Sequence, residues 1–130
     1  MVGNNRKKIL LVDDTRTVIL FEKMLLAGED FDIRCAYNGR EALELVSEDP
    51  PDLILLGLLM PVMDGYEVCD RLKTDPATSD IPIIVISTLS SEESIERCSR
   101  MGADYYVFKP INKLELLEKI SSALAIKRRT

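Results

Sequence analysis

The feature that most constrains the fold of this chain is a fivefold alternation of short apolar runs with longer segments of helical spacing. The runs at residues 53–56 and 81–87 contain almost no polar residue, which is typical of strands covered on both faces of a sheet. Each run is followed by a segment whose apolar positions recur every three or four residues. Alternation of this kind predicts an α/β fold, with a parallel sheet between two layers of helices.

The limits of the predicted elements come from residues that break regular structure. Gly28, Asn38-Gly39, Pro50-Pro51 and Gly102 each stand where a pattern stops. The predicted strands are residues 8–12, 32–37, 53–56, 81–87 and 105–108, and the predicted helices are residues 15–27, 40–47, 66–73, 92–101 and 113–127. The apolar positions at helical spacing are Val18, Phe21, Met24 and Leu25 in the first helix, and Leu114, Leu117, Ile120 and Leu124 in the last.

Size and composition exclude several classes of function. The 130 residues suit one domain with a core at about residues 8–125, and residues 126–130 form a basic tail or the start of a linker. A net charge of −5 argues against nucleic-acid binding by this domain. The absence of histidine excludes histidine-based catalysis and histidine metal ligands within this chain. The cysteines at 35, 69 and 98 are scattered, and we expect them to be buried or half-buried thiols.

The apolar runs are too short for targeting or insertion. The run near the N-terminus covers only residues 9–12, which is shorter than the apolar region of a signal peptide. The longest uncharged stretch, residues 53–63, falls well below the roughly 20 residues of a membrane span. We therefore expect a cytoplasmic protein that does not enter the membrane.

Polar or unusual residues follow four of the predicted strands. Parallel strands end at the same edge of a sheet, and ligands of such folds bind beyond that edge. This convergence is a stronger indication of a site than any one of its members. The residues are Asp13 and Asp14 after the first strand, Gly57 after the third, Ser87 and Thr88 after the fourth, and Lys109 and Pro110 after the fifth.

The adjacent carboxylates of Asp13 and Asp14 have two interpretations of about equal weight. Crowded acids repel each other unless a cation neutralises them, and hard oxygen ligands suit Mg²⁺. The alternative is that Asp14 or Thr15 only caps the helix that follows.

The polar residues of the last two strands are also open to a structural interpretation. Lys109 has the charge to hold an anion, but loop lysines are commonly just solvated. The Ser87 hydroxyl has the chemistry to bond a phosphoryl oxygen, and it equally suits a turn cap. Tyr106 is more often a half-buried strand aromatic than a functional residue.

Taken together, these residues closely resemble the response-regulator receiver domain. The resemblance runs from Lys8 to about Ala125. Its motifs are ILLVDD in the first strand, PDLILLG and LLMPVMDGYE around the third, IPIIVIST in the fourth and GADYYVFKP in the fifth. The resemblance implies a flavodoxin-like fold of five βα units, in which the strand order is 2-1-3-4-5.

The resemblance also implies a phosphoryl-accepting site. An aspartate at the end of the third strand would accept a phosphoryl group from a histidine kinase. That aspartate, Asp14 and the backbone carbonyl of Leu59 would hold Mg²⁺, and Asp13 would reach the ion through water. Lys109 would pair with the phosphoryl group and Ser87 would move to bond it, so Ser87, Thr88 and Lys109 form the remnant of the phosphate site.

The family's output surface is implied in the same way. Tyr106 would swing inward, and the surface of the fourth helix, fifth strand and fifth helix would then change its affinity for signalling partners. These partners include the histidine kinase and effector domains. The Lys109-Pro110 bond is expected to be cis.

Position 57 departs from the family pattern. Glycine has no oxygen that can attack phosphorus, so acyl-phosphate formation there is predicted to be absent. Mg²⁺ loses a protein ligand and is expected to bind more weakly. The fold should tolerate the change, because the glycine costs roughly 0.5–1 kcal/mol and removes one carboxylate from a crowded cluster. Lys109 is then left with Asp13 or Asp14 as a partner.

Three functions fit this pattern. The first is a pseudo-receiver, which is not an enzyme and signals through protein contacts. The second is an ordinary receiver whose acceptor was changed to Gly57 in this copy, since the other site residues are all retained. The third is a small-anion or ligand-binding flavodoxin-like domain, which the lack of a glycine-rich loop after the first strand disfavours. We favour the pseudo-receiver.

Overall fold

The computed structural model describes residues 6–126 and is built around one five-stranded parallel sheet. The strand order is β2-β1-β3-β4-β5, so the predicted order 2-1-3-4-5 is confirmed. The strands are β1 Lys7–Val12, β2 Phe31–Ala36, β3 Leu53–Gly57, β4 Ile83–Ser87 and β5 Tyr105–Phe108, and the helices are α1 Arg16–Leu26, α2 Gly39–Glu48, α3 Gly65–Thr74, α4 Glu92–Arg100 and α5 Lys113–Leu124.

The central strands β3 and β4 are buried along their whole length, as their apolar sequences predict. Strand β4 nevertheless begins at Ile83, two residues later than expected. Pro82 has no N–H to donate to a ladder, and the Ile81 N–H instead donates to the carbonyl of Thr78 at 3.0 Å. The short turn before β4 therefore takes the place of the predicted start of the strand.

The two faces of the sheet carry separate apolar clusters, because successive strand residues point to opposite sides. One cluster packs beneath α2, α3 and α4, and the other beneath α1 and α5. On β1, β3 and β5, the buried residues Leu11, Leu55 and Val107 point to the α1/α5 side of the sheet. The residue two positions further along each chain segment points to the same side. Asp13, Gly57 and Lys109 therefore come next on the α1/α5 side of the sheet.

Helix α1 turns a different face to the sheet than its apolar spacing suggests. The buried residues are Ile19, Glu22 and Leu26, whereas Phe21 and Met24 are 45% and 65% exposed. Because α1 is apolar around most of its circumference, the spacing defines two faces, and contact with the sheet selects one of them. The outer face is consequently left with large apolar side chains.

Helix α5 shows a smaller difference of the same kind. Its buried residues are Leu116, Ile120 and Ala123, and Leu117 is half-buried, but Leu114 is 74% exposed. The helix begins at the Asn112 cap, whose side chain accepts a hydrogen bond from Glu115 N–H at 2.9 Å. It ends at Leu124, and the predicted basic tail beyond residue 126 lies outside the described residues.

The burial of the cysteines and the lengths of the helices agree with what the sequence predicts. Cys69 and Cys98 are buried and Cys35 is half-buried, all three as free thiols. Across residues 6–126, every helix is too short or too polar to cross a bilayer.

Candidate functional site

Four strand ends enclose a cavity of about 180 Å³ at the carboxyl edge of the sheet. Its wall contains all of the predicted pocket residues from β1, β3 and β4, together with Lys109 after β5. These residues are therefore close together, as the sequence predicts. The lining residues are Asp13, Asp14, Thr15, Gly57, Leu58, Leu59, Ile86, Ser87, Thr88 and Lys109.

The side chain of Asp13 approaches Gly57 closely. A Cβ atom built on Gly57 would lie 2.7 Å from Asp13 Oδ2 and 3.3 Å from its Cγ. Both distances are shorter than ordinary van der Waals contact. A side chain at residue 57 would therefore require the Asp13 carboxylate to shift.

Asp13 is held in this position by both of its oxygen atoms. Its Oδ1 accepts a hydrogen bond from Thr15 N–H at 2.9 Å, and its Oδ2 lies 3.6 Å from Lys109 Nζ. Asp13 is buried and Lys109 is half-buried, so this ion pair is shielded from much of the solvent. The carboxylate nearest Gly57 is therefore already paired with a cation of the protein itself.

Asp14 is exposed at the rim of the cavity. Its Oδ1 accepts a long hydrogen bond, 3.4 Å, from the Thr15 hydroxyl. Thr15 is the N-cap residue of α1, but its side chain makes no capping hydrogen bond. The capping interpretation of this acidic pair therefore receives no support from the geometry.

The donor set fits Mg²⁺ poorly. Asp13 is occupied by Lys109 and Thr15, which leaves Asp14 and the backbone carbonyl of Leu59 from the predicted ligand set. Within the described part of the chain, no three acidic, histidine or cysteine side chains are grouped so that they could hold a metal ion. A hard divalent cation prefers several oxygen ligands, which this set does not offer.

Ser87 and Tyr106 meet at the backbone of Leu89. The Ser87 hydroxyl accepts a hydrogen bond from Leu89 N–H at 3.0 Å, and the Tyr106 hydroxyl donates to the Leu89 carbonyl at 2.6 Å. Burial raises the pKa of the Tyr106 phenol, and the neighbouring Ser87 hydroxyl opposes this rise. The Tyr106 ring packs against the apolar cluster of α2, α3 and α4, so this side chain points inward.

We expect the Tyr106→Phe variant to be less stable than the parent protein by about 1 kcal/mol. The change removes the hydroxyl and leaves the Leu89 carbonyl without this donor. Urea unfolding followed by circular dichroism measures the difference. Tyr105→Phe, which alters the neighbouring strand aromatic, is the control. Equal losses of stability in the two variants would show that the bond to Leu89 contributes nothing.

The peptide bond between Lys109 and Pro110 is cis. Next to it, a mainly apolar hollow of about 250 Å³ separates the start of α1 from the connection between β5 and α5. This hollow adjoins the outer face of α1. Its lining residues are Thr17, Val18, Phe21, Lys109, Pro110 and Ile111.

Glu22 is a buried acid beside the site that the sequence prediction missed. It is 2% exposed, and its Oε1 has no hydrogen-bond partner. Burial raises its pKa to about 8, and the negative charge of Asp13 adds to this rise while Lys109 opposes it. The spacing of Ile19, Glu22 and Leu26 is that of one helix face, and it is the signal that could have revealed this residue.

Comparison with protein families gives one match that covers most of the chain. The model of the response regulator receiver domain matches residues 9–121. The matched region includes every strand end that lines the cavity.

Comparison with solved structures gives matches over almost the whole length of both chains. A structure assigned as a response regulator from Chloroflexus aurantiacus J-10-fl is 30% identical, with a TM-score of 0.90 over 94% of this chain and 100% of that one. The receiver domain of a signal transduction histidine kinase from Syntrophus aciditrophicus is 34% identical, with a TM-score of 0.86 over 95% of each chain. A CheY-like receiver domain protein from Methanospirillum hungatei JF-1 is 28% identical, with a TM-score of 0.85 over 92% of this chain and 94% of that one.

Proposed function

This chain belongs to the response regulator receiver domains of two-component signalling, and we propose that it acts as a binding module that accepts no phosphoryl group at position 57. The observation that carries the proposal is the environment of Gly57. An acyl phosphate requires a carboxylate oxygen on the attacking residue, and glycine has none. Asp13 Oδ2 also lies only 2.7 Å from the position of a Cβ atom built on Gly57, so this carboxylate crowds the acceptor position.

The Asp13–Lys109 pair supports the same proposal. In the family, the lysine is expected to pair with the phosphoryl group. Here its ammonium lies 3.6 Å from Asp13 Oδ2, so Lys109 already has an anionic partner without a phosphoryl group. A divalent cation would have to compete with Lys109 for Asp13, and we infer that Mg²⁺ binds more weakly than in receivers with an acceptor aspartate.

We infer that the binding surface is the outer side of α4, β5 and α5. The inward position of Tyr106 leaves Phe108 as the exposed aromatic of this surface, with 41% of its area accessible. Exposed aromatic residues are common anchors of protein interfaces. The proposed partners are signalling proteins of the cytoplasm, such as a histidine kinase or an effector domain.

Incubation with acetyl phosphate and Mg²⁺, followed by intact-mass measurement, tests the proposal. We expect no gain of a phosphoryl mass in the parent protein. The Gly57→Asp variant, treated identically, is the positive control for donor and metal. A gain in the parent protein that maps to one residue would show that phosphoryl transfer persists, and the proposal would then be wrong.

A second candidate is an ordinary phosphoryl-accepting receiver whose acceptor was changed to glycine in this copy. It is favoured by one observation, the convergence of Asp14, Ser87 and Lys109 on the same cavity. A site that stopped accepting phosphoryl groups long ago has no chemical need for these three residues. Gly57→Asp is expected to accept a phosphoryl group under both candidates, so partner binding by the unmodified parent protein separates them. The first candidate expects such binding, and its absence would support the second.

A further inference from the structure

A cavity of about 480 Å³ lies between α2 and α3, and we call it the α2–α3 cavity. Its lining residues are Leu43, Val46, Ser47, Pro50, Arg71, Leu72, Thr74, Asp75, Ala77 and Thr78. None of them lines the cavity at Gly57. Sites for small organic ligands typically have volumes of roughly 300–1,000 Å³. The α2–α3 cavity is therefore a candidate ligand site that is separate from position 57.

The floor of the α2–α3 cavity is apolar. Val46 of α2 and Leu72 of α3 are both buried, and Leu43 is half-buried beside them. Pro50 and Ala77 add further apolar atoms to the walls. This surface suits an apolar group up to the size of a phenyl ring.

Two side chains of opposite charge line the α2–α3 cavity, four residues apart on the chain. Arg71 and Asp75 are at a spacing that favours ion pairs, yet no ion pair joins them in the described part of the chain. The Arg71 guanidinium instead donates from Nε and Nη2 to Glu67 Oε2, at 3.1 and 2.9 Å. Asp75 Oδ1 accepts a hydrogen bond from Ala77 N–H at 2.9 Å, and among residues 6–126 its Oδ2 has no partner. Both charged groups therefore keep bonding capacity for a ligand.

The Asp75 carboxylate lies where a negative charge is unfavourable. Asp75 is the C-cap residue of α3, and a helix C-terminus carries partial negative charge. Lys73, a cation in the last turn of α3, does not line the cavity. Its ammonium donates to the carbonyls of Ser79 and Ile81, at 3.2 and 2.8 Å, and to Asp104 Oδ2 at 3.2 Å. A cation bound in the cavity would therefore be stabilised by both Asp75 and the end of α3.

We propose that the α2–α3 cavity binds the zwitterion of an α-amino acid with an apolar side chain. Arg71 holds the carboxylate, Asp75 and the C-terminus of α3 hold the ammonium, and Val46 and Leu72 contact the side chain. The proposal goes beyond the proposed function, because it assigns this domain a small-molecule ligand and does not depend on position 57.

A zwitterion fits the local charges better than an ion of either sign. A second groove of about 460 Å³ shares Arg71 with the α2–α3 cavity and is also lined by Arg40, Glu44 and Glu48. With Asp75, the two hollows are lined by two cations and three anions. A ligand with only a carboxylate meets this excess of negative charge, and a ligand with only an ammonium leaves Arg71 without an added partner.

NMR titration of the isotope-labelled protein with L-phenylalanine tests the proposal, at about pH 6, where α-amino groups are protonated. We expect saturating shifts of the backbone signals of residues 43–50 and 71–78, with a Kd on the order of 1 mM. N-acetyl-L-phenylalanine lacks the ammonium, and L-phenylalaninamide lacks the carboxylate. Each should bind weaker by on the order of tenfold, because one charged group of the protein then lacks its partner.

Variants of the two charged residues assign each end of the ligand. Arg71→Gln should remove the preference for L-phenylalanine over its amide, and Asp75→Asn should remove the preference over the N-acetyl derivative. Asparagine can still accept the hydrogen bond from Ala77 N–H, so the turn after α3 is retained. Arg100→Gln is the matched control, because Arg100 pairs with Glu96 at the same spacing on α4. It should leave both preferences unchanged.

Ala77→Trp tests the cavity itself. Residue 77 is exposed and lines the cavity, so the indole can occupy the space without entering the core. Binding of L-phenylalanine should be lost, whereas Ala77→Ser, which adds little volume, should bind it as the parent protein does. Thermal unfolding shows whether each variant remains folded at the temperature of the titration.

Four outcomes would overturn the proposal. They are equal affinity for L-phenylalanine and its two derivatives, shifts that do not saturate up to the solubility limit, binding that survives Ala77→Trp, and signals of residues 43–50 and 71–78 that move with protein concentration alone. The first three deny a zwitterion site, and the last assigns the cavity to a second copy of this chain. None of them changes the mass measurement at position 57, so the two proposals fail independently.

Discussion

The Glu22→Leu variant is expected to be more stable than the parent protein, by a margin that grows between about pH 5 and pH 8. Glu22 is almost completely buried beside Ile19 and Leu26, and its Oε1 has no partner. An unsatisfied buried polar group costs about 1–3 kcal/mol, even when it carries no charge. Leucine has a similar size and matches the apolar cluster beneath α1, so its substitution removes this cost.

The pH dependence follows from the raised pKa of Glu22. Its pKa is about 8 in the folded protein and 4.5 in the reference state. Below pH 4.5 the acid is protonated in both the folded and unfolded chains, and its burial is least costly. Between these two values the unfolded chain releases the proton and the folded chain keeps it. Rising pH therefore favours unfolding, by at most about 1.4 kcal/mol per pH unit. Above pH 8 the loss is complete.

Urea unfolding of the parent protein and the variant between pH 5 and pH 9 measures this difference. The total gain for Glu22→Leu should reach several kcal/mol at the alkaline end. Glu22→Gln cannot ionise but retains a polar group, so it should lose the pH-dependent part of the difference and gain less stability overall. Glu118→Leu on the exposed side of α5 is the control for a general effect of adding leucine. Parallel pH profiles for the parent protein and Glu22→Gln would contradict the prediction.

The Gly57→Asp variant is expected to gain phosphoryl acceptance and a stability that depends on Mg²⁺. The new Cβ atom would lie only 2.7 Å from Asp13 Oδ2, so the Asp13 carboxylate must move away. Its 3.6 Å contact with Lys109 is then lost or shared, and three carboxylates stand at one edge of the sheet. Without a cation, repulsion should lower stability by roughly 1–2 kcal/mol. Bound Mg²⁺ should reverse this loss, because it binds the folded chain preferentially.

Thermal unfolding of the parent protein and Gly57→Asp, with and without Mg²⁺, tests the stability half of this prediction. Intact-mass measurement after acetyl phosphate tests the chemical half. Gly57→Ala is the matched control, since it introduces the same Cβ contact without a carboxylate. It should lose stability in a way that Mg²⁺ does not restore. An equal response to Mg²⁺ in the parent protein and Gly57→Asp would contradict the expected role of the third carboxylate.

The order of secondary structure and the members of the cavity could be predicted from sequence because both depend on local signals. The apolar runs of β3 and β4 are long enough to indicate buried parallel strands. Polar residues that directly follow such strands must lie at one edge, whatever the strand order. The order itself came from the family resemblance, since periodicity does not specify which strands are neighbours.

The orientation of α1 and the position of Asp13 could not be predicted in the same way. A helix that is apolar on two faces gives the same periodic signal for both, so spacing alone does not distinguish Phe21 and Met24 from Ile19 as core residues. The placement of Asp13 is a matter of distances that sequence spacing does not give. Its Oδ2 lies 3.6 Å from Lys109 Nζ and only 2.7 Å from the position of a Cβ atom built on Gly57, so a side chain at residue 57 would require it to shift.

The Asp13–Lys109 pair has a consequence for the kind of information that this protein can carry. A receiver with an acceptor aspartate reports the recent activity of its kinase, because a covalent group shifts its equilibrium between two states. Under the proposed function no such group is added at position 57, so no upstream enzyme would set the equilibrium in this way. Under the proposed function, the fraction of partner bound then depends only on protein concentration relative to Kd. The cell would adjust such a signal through synthesis and degradation of the chain.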